Sequence, residues 1–203
     1  RGIVMTLPLL DPGPSSKPQS KRRERDAYFT PAAATQALLE AFPEIRGGRL
    51  LDPCCGDGRM AHALAPRFET VLLNDIEPAG DQHLVQPSRL DATRVELYSQ
   101  AGADWIVSNL PFGLAGPMAW QCLRGARVGC ALLLRCTFLE PCEGREWLTR
   151  NPPTAVLVMP RIRFSGTGTD SAGTWWLVWG PVAPGVRIVR RADISQLPLG
   201  VRP

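Results

Sequence analysis

The sequence predicts an α/β domain whose mainly parallel sheet carries helices on both faces, because short apolar runs alternate with stretches of helical spacing along most of the chain. Two further observations support this class. The apolar runs end in acids or an amide where the chain turns, as strands do whose carboxyl ends open on a ligand crevice. The length of 203 residues also suits one domain large enough to cover a sheet on both faces.

Residues 1–26 are rich in Pro, Ser and charge, end in Lys21-Arg22-Arg23-Glu24-Arg25, and show no apolar periodicity. They predict a flexible basic arm, with the folded domain spanning 27–203. After Pro31, the residues Ala33, Ala34, Ala37, Leu38, Ala41 and Phe42 recur at helical spacing until Pro43, which predicts the first helix. Arg49 to Asp52 and Thr70 to Asp75 are apolar runs closed by an acid, and the stretch Arg59 to Ala65 between them completes a β-α-β unit. Four more strands are expected at Asp104 to Asn109, Gly129 to Cys136, Ala155 to Met159 and Thr174 to Gly180. Helices are expected around Ala115 to Leu123 and Glu143 to Thr149. The last two strands are joined by a segment with no room for a helix, so they are expected to pair antiparallel.

With 44% hydrophobic and 21% charged residues, the chain has the balance of a soluble globular protein. No run approaches the roughly 18 apolar residues of a spanning helix, and a cytoplasmic protein is the expectation. The six cysteines form no C-x-x-C pair and the two histidines, His62 and His83, are far apart, so no metal site is expected. The cysteines read as reduced, structural thiols. The net charge of +4 is carried mostly by arginine, the side chain best shaped for phosphate, which permits a nucleic-acid partner.

Two segments carry chemistry. In Leu50-Leu-Asp-Pro-Cys-Cys-Gly-Asp-Gly-Arg59 a strand runs into a turn punctuated by Gly56 and Gly58, whose missing Cβ atoms let a ligand lie against the backbone. Asp75, at the end of the next strand, is placed to accept hydrogen bonds from the ribose hydroxyls of a nucleoside cofactor. By itself this pattern also satisfies a dinucleotide-binding fingerprint, and an NAD-dependent oxidoreductase is a rival. The second segment, Asp104-Trp-Ile-Val-Ser-Asn-Leu-Pro-Phe-Gly113, ends a strand in an amide, a proline-stiffened turn and an aromatic ring. The Asn109 side-chain oxygen and the Leu110 carbonyl can each accept a hydrogen bond from an NH2 group, leaving its lone pair aimed at a methyl donor. Phe112 offers a face for a planar base.

These motifs carry a resemblance. Asp52-Pro-Cys-Cys-Gly-Asp-Gly58 looks like the D-P-x-x-G-x-G loop of class I S-adenosylmethionine-dependent methyltransferases. Asn109-Leu-Pro-Phe112 resembles the [D/N/S]-P-P-[Y/F] turn of those that act on amino groups, and the sequence is most similar to the DNA N6-adenine methyltransferases. Tyr28-Phe-Thr-Pro31 is similar to the segment covering the methionine end of the cofactor, and Asp91, before Ala92, falls where the family sets an acid against the cofactor's adenine. Toward the end, Pro160-Arg-Ile-Arg-Phe164 and Trp176-Leu-Val-Trp179 resemble short, phage-type members.

The resemblance implies a Rossmann-like, seven-stranded sheet with an antiparallel last strand, the seventh strand being a short run before Asp91. It implies S-adenosyl-L-methionine as cofactor, held by Tyr28, Thr30, Pro31, Asp52, Pro53, Cys54, Gly56, Asp57, Gly58, Asp75, Ile76, Asp91 and Ala92. It implies catalysis by Asn109, Leu110, Pro111 and Phe112 on the N6 amine of adenine in DNA. RNA, a protein glutamine or cytosine N4 are the alternative acceptors. Leu110 replaces the family's first proline, which puts activity in question and makes an inactive relative or a partner subunit a further alternative. Pro53-Cys54 lies in the cofactor loop and Pro141-Cys142 follows a later strand, so a cysteine nucleophile acting on cytosine C5 is rejected.

Arg161 and Arg163 are candidate phosphate contacts beside the cleft. Trp175, Trp176 and Trp179 are expected to fill core, and Arg187, Arg190 and Arg191 to be ordinary solvated surface.

Overall fold

The computed structural model of the chain describes residues 29–80, 84–160 and 173–190. Among these residues seven strands form one sheet: β1 Arg49–Asp52, β2 Thr70–Leu73, β3 Trp105–Asn109, β4 Gly129–Arg135, β5 Ala155–Val158, β6 Thr174–Trp179 and β7 Gly185–Ile188. Among the described residues, the α-helix α1 Ala32–Ala41 precedes the sheet and four more lie between strands: α2 Arg59–Leu64, α3 Val95–Ala101, α4 Ala115–Gly125 and α5 Cys142–Arg150. The spatial order is β2-β1-β3-β4-β6-β5-β7. Strands β2, β1, β3 and β4 pair in parallel, β6 is inserted antiparallel between β4 and β5, and β7 pairs parallel with β5.

The uninterrupted apolar strands follow from burial on both faces. Neighbouring residues of one strand enter opposite cores because side chains alternate with period two. Leu50, Trp105, Val107, Leu133 and Trp176 pack with Leu38 of α1, Phe42 just after it, and Met60 and Leu64 of α2. Leu51, Ile106, Leu132, Leu134 and Leu177 pack with Leu97 and Tyr98 of α3 and Met118 and Cys122 of α4. Trp176 is fully buried and its indole N–H donates to the Ala34 carbonyl at 3.0 Å, so α1 is tied to the centre of the sheet. Trp175 and Trp179 are half-buried against the second core, in keeping with the expected core role.

The strand count of seven is reached by a different route from the one expected. The run before Asp91 supplies only a single parallel bridge, Asn74 to Ser88. Pro87 has no N–H to donate there, and the Leu90 N–H bonds the Asn74 side chain. The seventh strand is β7, so the antiparallel strand is the sixth. Helix α3 and strand β7 were not expected. The first is short, with only Leu97, Tyr98 and Ala101 buried. The second shows Val186 and Ile188 to solvent and is held by backbone pairing with β5, which leaves no buried period in its sequence.

Arg187 corrects another expectation. It is half-buried, its guanidinium lies 4.3 Å from the Phe42 ring centroid, and it donates to the Ala41 carbonyl at the end of α1. A cation there satisfies a terminal carbonyl and the negative end of the helix dipole. Arg190 is exposed, and Arg191 lies outside the described residues, as do the basic arm, Tyr28, Arg161 and Arg163. No helix among the described residues is long and apolar enough to cross a membrane.

Candidate active site at the carboxyl ends of β1 and β3

The chain leaves β1 toward β2 on one side, while β3 lies on the other, so the crevice of this sheet opens at the carboxyl ends of β1 and β3. Asp52 ends β1 and Asn109 ends β3. The turn after β1 needs its glycines: Gly56 has φ +54° and Gly58 φ +78°, a region costly for residues with a Cβ. A Cβ on Gly56 would also lie 3.3 Å from the Phe29 ring, so the segment before α1 closes on the loop.

One hollow is lined by Phe29 and Thr30 ahead of α1, by Cys54 to Asp57 of the loop, by Arg59 and Met60 of α2, and by Asn109. The expected companions Thr30, Cys54, Gly56, Asp57 and Asn109 are thereby brought together from three separate segments. Asp57 pairs with Arg59 at 2.6 Å, which places a carboxylate and a guanidinium side by side in the wall. Arg59 also lies 5.5 Å from the Phe29 ring centroid.

Other expected residues are not part of its lining. Asp52 is fully buried. Its Oδ1 accepts from the Ser108 hydroxyl at 2.8 Å and the Cys54 N–H at 3.2 Å, and its Oδ2 has no hydrogen-bond partner. Burial pushes its carboxyl up to about 7, against the lowering effect of those two bonds. Asp52 therefore supports the loop from beneath. Pro53 and Gly58 are buried with it, and Pro31 serves as the residue before α1.

Asp75 accepts the Gly56 N–H at 2.8 Å on one oxygen and the Glu77 N–H at 3.0 Å on the other. Each carboxylate oxygen keeps acceptor capacity beyond these bonds. Ile76, beside it, is 65% exposed. Asp91 is exposed, and its Oδ1 accepts both the N–H and the hydroxyl of Thr93, which hold its carboxyl below the usual range. Ala92 buries its side chain in the second core, and its carbonyl accepts the Tyr98 hydroxyl at 2.7 Å.

At the second segment, Leu110 is 1% exposed and packs in the core with Ile106, Ala115 and Met118. The turn that lacks the family's first proline is anchored by a buried leucine instead, worth about 1.5–3 kcal/mol of burial. Pro111 is exposed and Phe112 half-buried, with the Arg135 guanidinium 3.5 Å from its ring centroid.

Four polar residues of this region escape motif matching. Asn74 makes four hydrogen bonds, donating to the carbonyls of Pro53 and Leu90 and accepting from the Ser88 hydroxyl and the Leu90 N–H. Ser108, Arg59 and Arg135 are the others. Asn74, Ser108 and Arg135 share a signal, a polar residue at or just past the carboxyl end of an apolar run. Thiol chemistry finds no support in the loop: burial pushes Cys55 up to about 12 and Cys54 well above its usual value, so neither supplies a thiolate. The cysteines among the described residues are unbridged, and no cluster of three metal-ligating side chains occurs among those residues.

The inserted antiparallel β6 and the crevice beside the glycine loop decide the architecture. The chain has the class I methyltransferase fold. Two solved structures share it at low identity, which speaks to fold alone. A modification subunit assigned to a type I restriction enzyme from Vibrio vulnificus superposes with a TM-score of 0.59 at 12% identity, covering 81% of this chain and 48% of its own. A protein assigned as a hemolysin from Lactococcus lactis gives 0.55 at 10% identity, covering 85% of this chain and 99% of its own. By sequence, the ribosomal RNA small subunit methyltransferase C of Hahella chejuensis is 31% identical over 87 residues, 38% of this chain and 25% of that protein. The chain thus matches about a quarter of that relative's length. No family model matches the chain.

Proposed function

We propose that this chain transfers a methyl group from S-adenosylmethionine to an exocyclic amine of a nucleobase, and specifically to N6 of adenine in DNA. One observation carries the reading: Asn109 lines the same hollow as the glycine loop. Methyl transfer to an amine requires that juxtaposition, since donor and acceptor must meet within a few ångströms. Hydride transfer to a nicotinamide ring has no use for the turn Asn109 to Phe112.

The residues present fit the cofactor. The paired Asp57 and Arg59 match the ammonium and carboxylate of an amino-acid end, Asp75 retains acceptor capacity for ribose hydroxyls, and exposed Ile76 offers an apolar face to an adenine. When bound, the cofactor supplies an electrophilic methyl group on a sulfonium. The Asn109 side-chain oxygen and the Leu110 carbonyl accept the two hydrogens of the acceptor NH2, which turns the nitrogen lone pair toward the hollow. As positive charge develops on that nitrogen, the same two oxygens stabilise it. The released proton leaves to solvent.

A second acceptor has a specific observation in its favour, the partial identity to a ribosomal RNA methyltransferase, and makes RNA the runner-up. Incubation with methyl-labelled S-adenosylmethionine and, separately, DNA or RNA, followed by digestion to nucleosides, tests both. Label in N6-methyldeoxyadenosine supports the reading. Label only in ribonucleosides moves the acceptor to RNA, and label in neither nucleic acid rejects both.

A further inference from the structure

Arg135 closes an otherwise apolar strand at the end of the sheet that holds the candidate site. Strand β4 pairs with β3 so that Leu133 stands opposite Asn109, which brings Arg135 level with the turn beyond it. Its guanidinium rests 3.5 Å from the centroid of the Phe112 ring. That is the spacing of two stacked planes, and a base stacked on the same face takes the same space. Phe112 is half-buried, and a guanidinium at that distance occupies the space over one face of its ring.

We propose that Arg135 is a positioning residue that guards Phe112: it occupies the place of the acceptor base in the free protein, and a phosphate of the entering strand draws it aside into the substrate grip. The inference rests on the nucleic-acid acceptor proposed above. Its physical logic is an exchange of one partner for another. A guanidinium binds an aromatic face and a phosphate with the same planar fork, and the phosphate adds charge-assisted hydrogen bonds that the ring lacks. A bare nucleoside has no phosphate with which to displace the guard. The device therefore favours strands over free nucleosides.

The test compares wild type, Arg135→Ala and Arg135→Lys, each checked for wild-type circular dichroism. Binding is measured for 2′-deoxyadenosine and for a labelled single-stranded oligodeoxynucleotide containing adenine, the latter over a salt series. Arg135→Ala is expected to bind the nucleoside about 3- to 10-fold more tightly, since the cation–π contact no longer competes. It is expected to bind the oligonucleotide more weakly, with a log–log salt slope reduced by about 1. Arg135→Lys keeps the charge without the planar fork, so it should retain the slope and still show the gain for nucleoside. That variant carries the test if the alanine protein does not fold. Unchanged nucleoside affinity and slope in the variants overturn the inference. So does an equal loss for nucleoside and strand at constant slope, which makes Arg135 a support for the ring only. Wild-type protein that binds neither this oligonucleotide nor its RNA counterpart at any salt rejects the nucleic-acid reading itself, and the guard with it.

Discussion

Ser108 donates a 2.8 Å hydrogen bond to the buried carboxyl of Asp52, and this bond straps the strand that ends at Asn109 to the strand that ends in the glycine loop. Each residue stands immediately before a segment of the candidate site, Asn109 in one case and Pro53 in the other. The two halves of the site are therefore held by one buried contact between β1 and β3, in addition to their backbone pairing.

Replacing Ser108 by alanine tests the strap. Asp52 Oδ1 would keep only the Cys54 N–H, and a loss of about 1–3 kcal/mol is expected because a buried acceptor loses its partner. Urea unfolding measures it, and isothermal titration with S-adenosylhomocysteine is expected to show weaker binding as the two segments loosen. Unchanged stability would mean that the backbone ladder alone sets the spacing.

Asp52 also makes stability depend on pH. Its folded value near 7 exceeds the ordinary 3.8, so the folded chain retains a proton that the unfolded chain gives up between those values. The sign is that stability is highest below about pH 4 in this contribution, falls as pH rises toward 7, and is flat above. The span is on the order of 4 kcal/mol. Asp52→Asn should flatten this window and raise the melting temperature at pH 8 relative to wild type; an unaltered pH profile would show that another group governs it.

Asn74 is expected to be the costliest polar substitution nearby. Asn74→Leu keeps the branching of the side chain but removes its four hydrogen bonds, and the buried Pro53 carbonyl loses its Asn74 donor. A loss of about 3–5 kcal/mol is expected, with faster hydrogen exchange at the Leu90 amide. Retained protection at Leu90 would assign its order to other contacts.

Leu110 distinguishes a weakened turn from a differently anchored one. If its burial replaces the rigidity of proline, Leu110→Ala costs about 2–5 kcal/mol and Leu110→Met under about 1.5 kcal/mol. Thermal unfolding of both variants measures the difference, and a mild alanine variant would leave the turn without the anchor described.

The strands β1 to β4 were legible in the sequence because both faces of each are covered, which forces unbroken apolar runs. Strand β7 was not, since Val186 and Ile188 face solvent and it is held by backbone pairing and the Arg187 side chain, which leave no apolar period. The glycine loop and Asn109 were legible because their chemistry is local: positive φ demands glycine, and an amide that ends an apolar strand faces the crevice. The roles of Ser108 and Arg135 depend on which strands lie side by side, and no local pattern encodes register. Asp91 also has a local role. Its spacing to Thr93 is that of a side chain bonding the backbone two residues on, and one of its oxygens is engaged in that turn rather than held entirely for a ligand.

The central claim is that Asn109 acts on the acceptor and not on the cofactor. The direct measurement is single-turnover transfer from methyl-labelled S-adenosylmethionine to adenine-containing DNA by wild type and Asn109→Ala, with S-adenosylhomocysteine affinity measured for both. The expected result is a loss of at least about 100-fold in transfer, the scale of removing one preorganised hydrogen-bonding group, at unchanged cofactor affinity. Transfer by the variant at the wild-type rate would contradict the account.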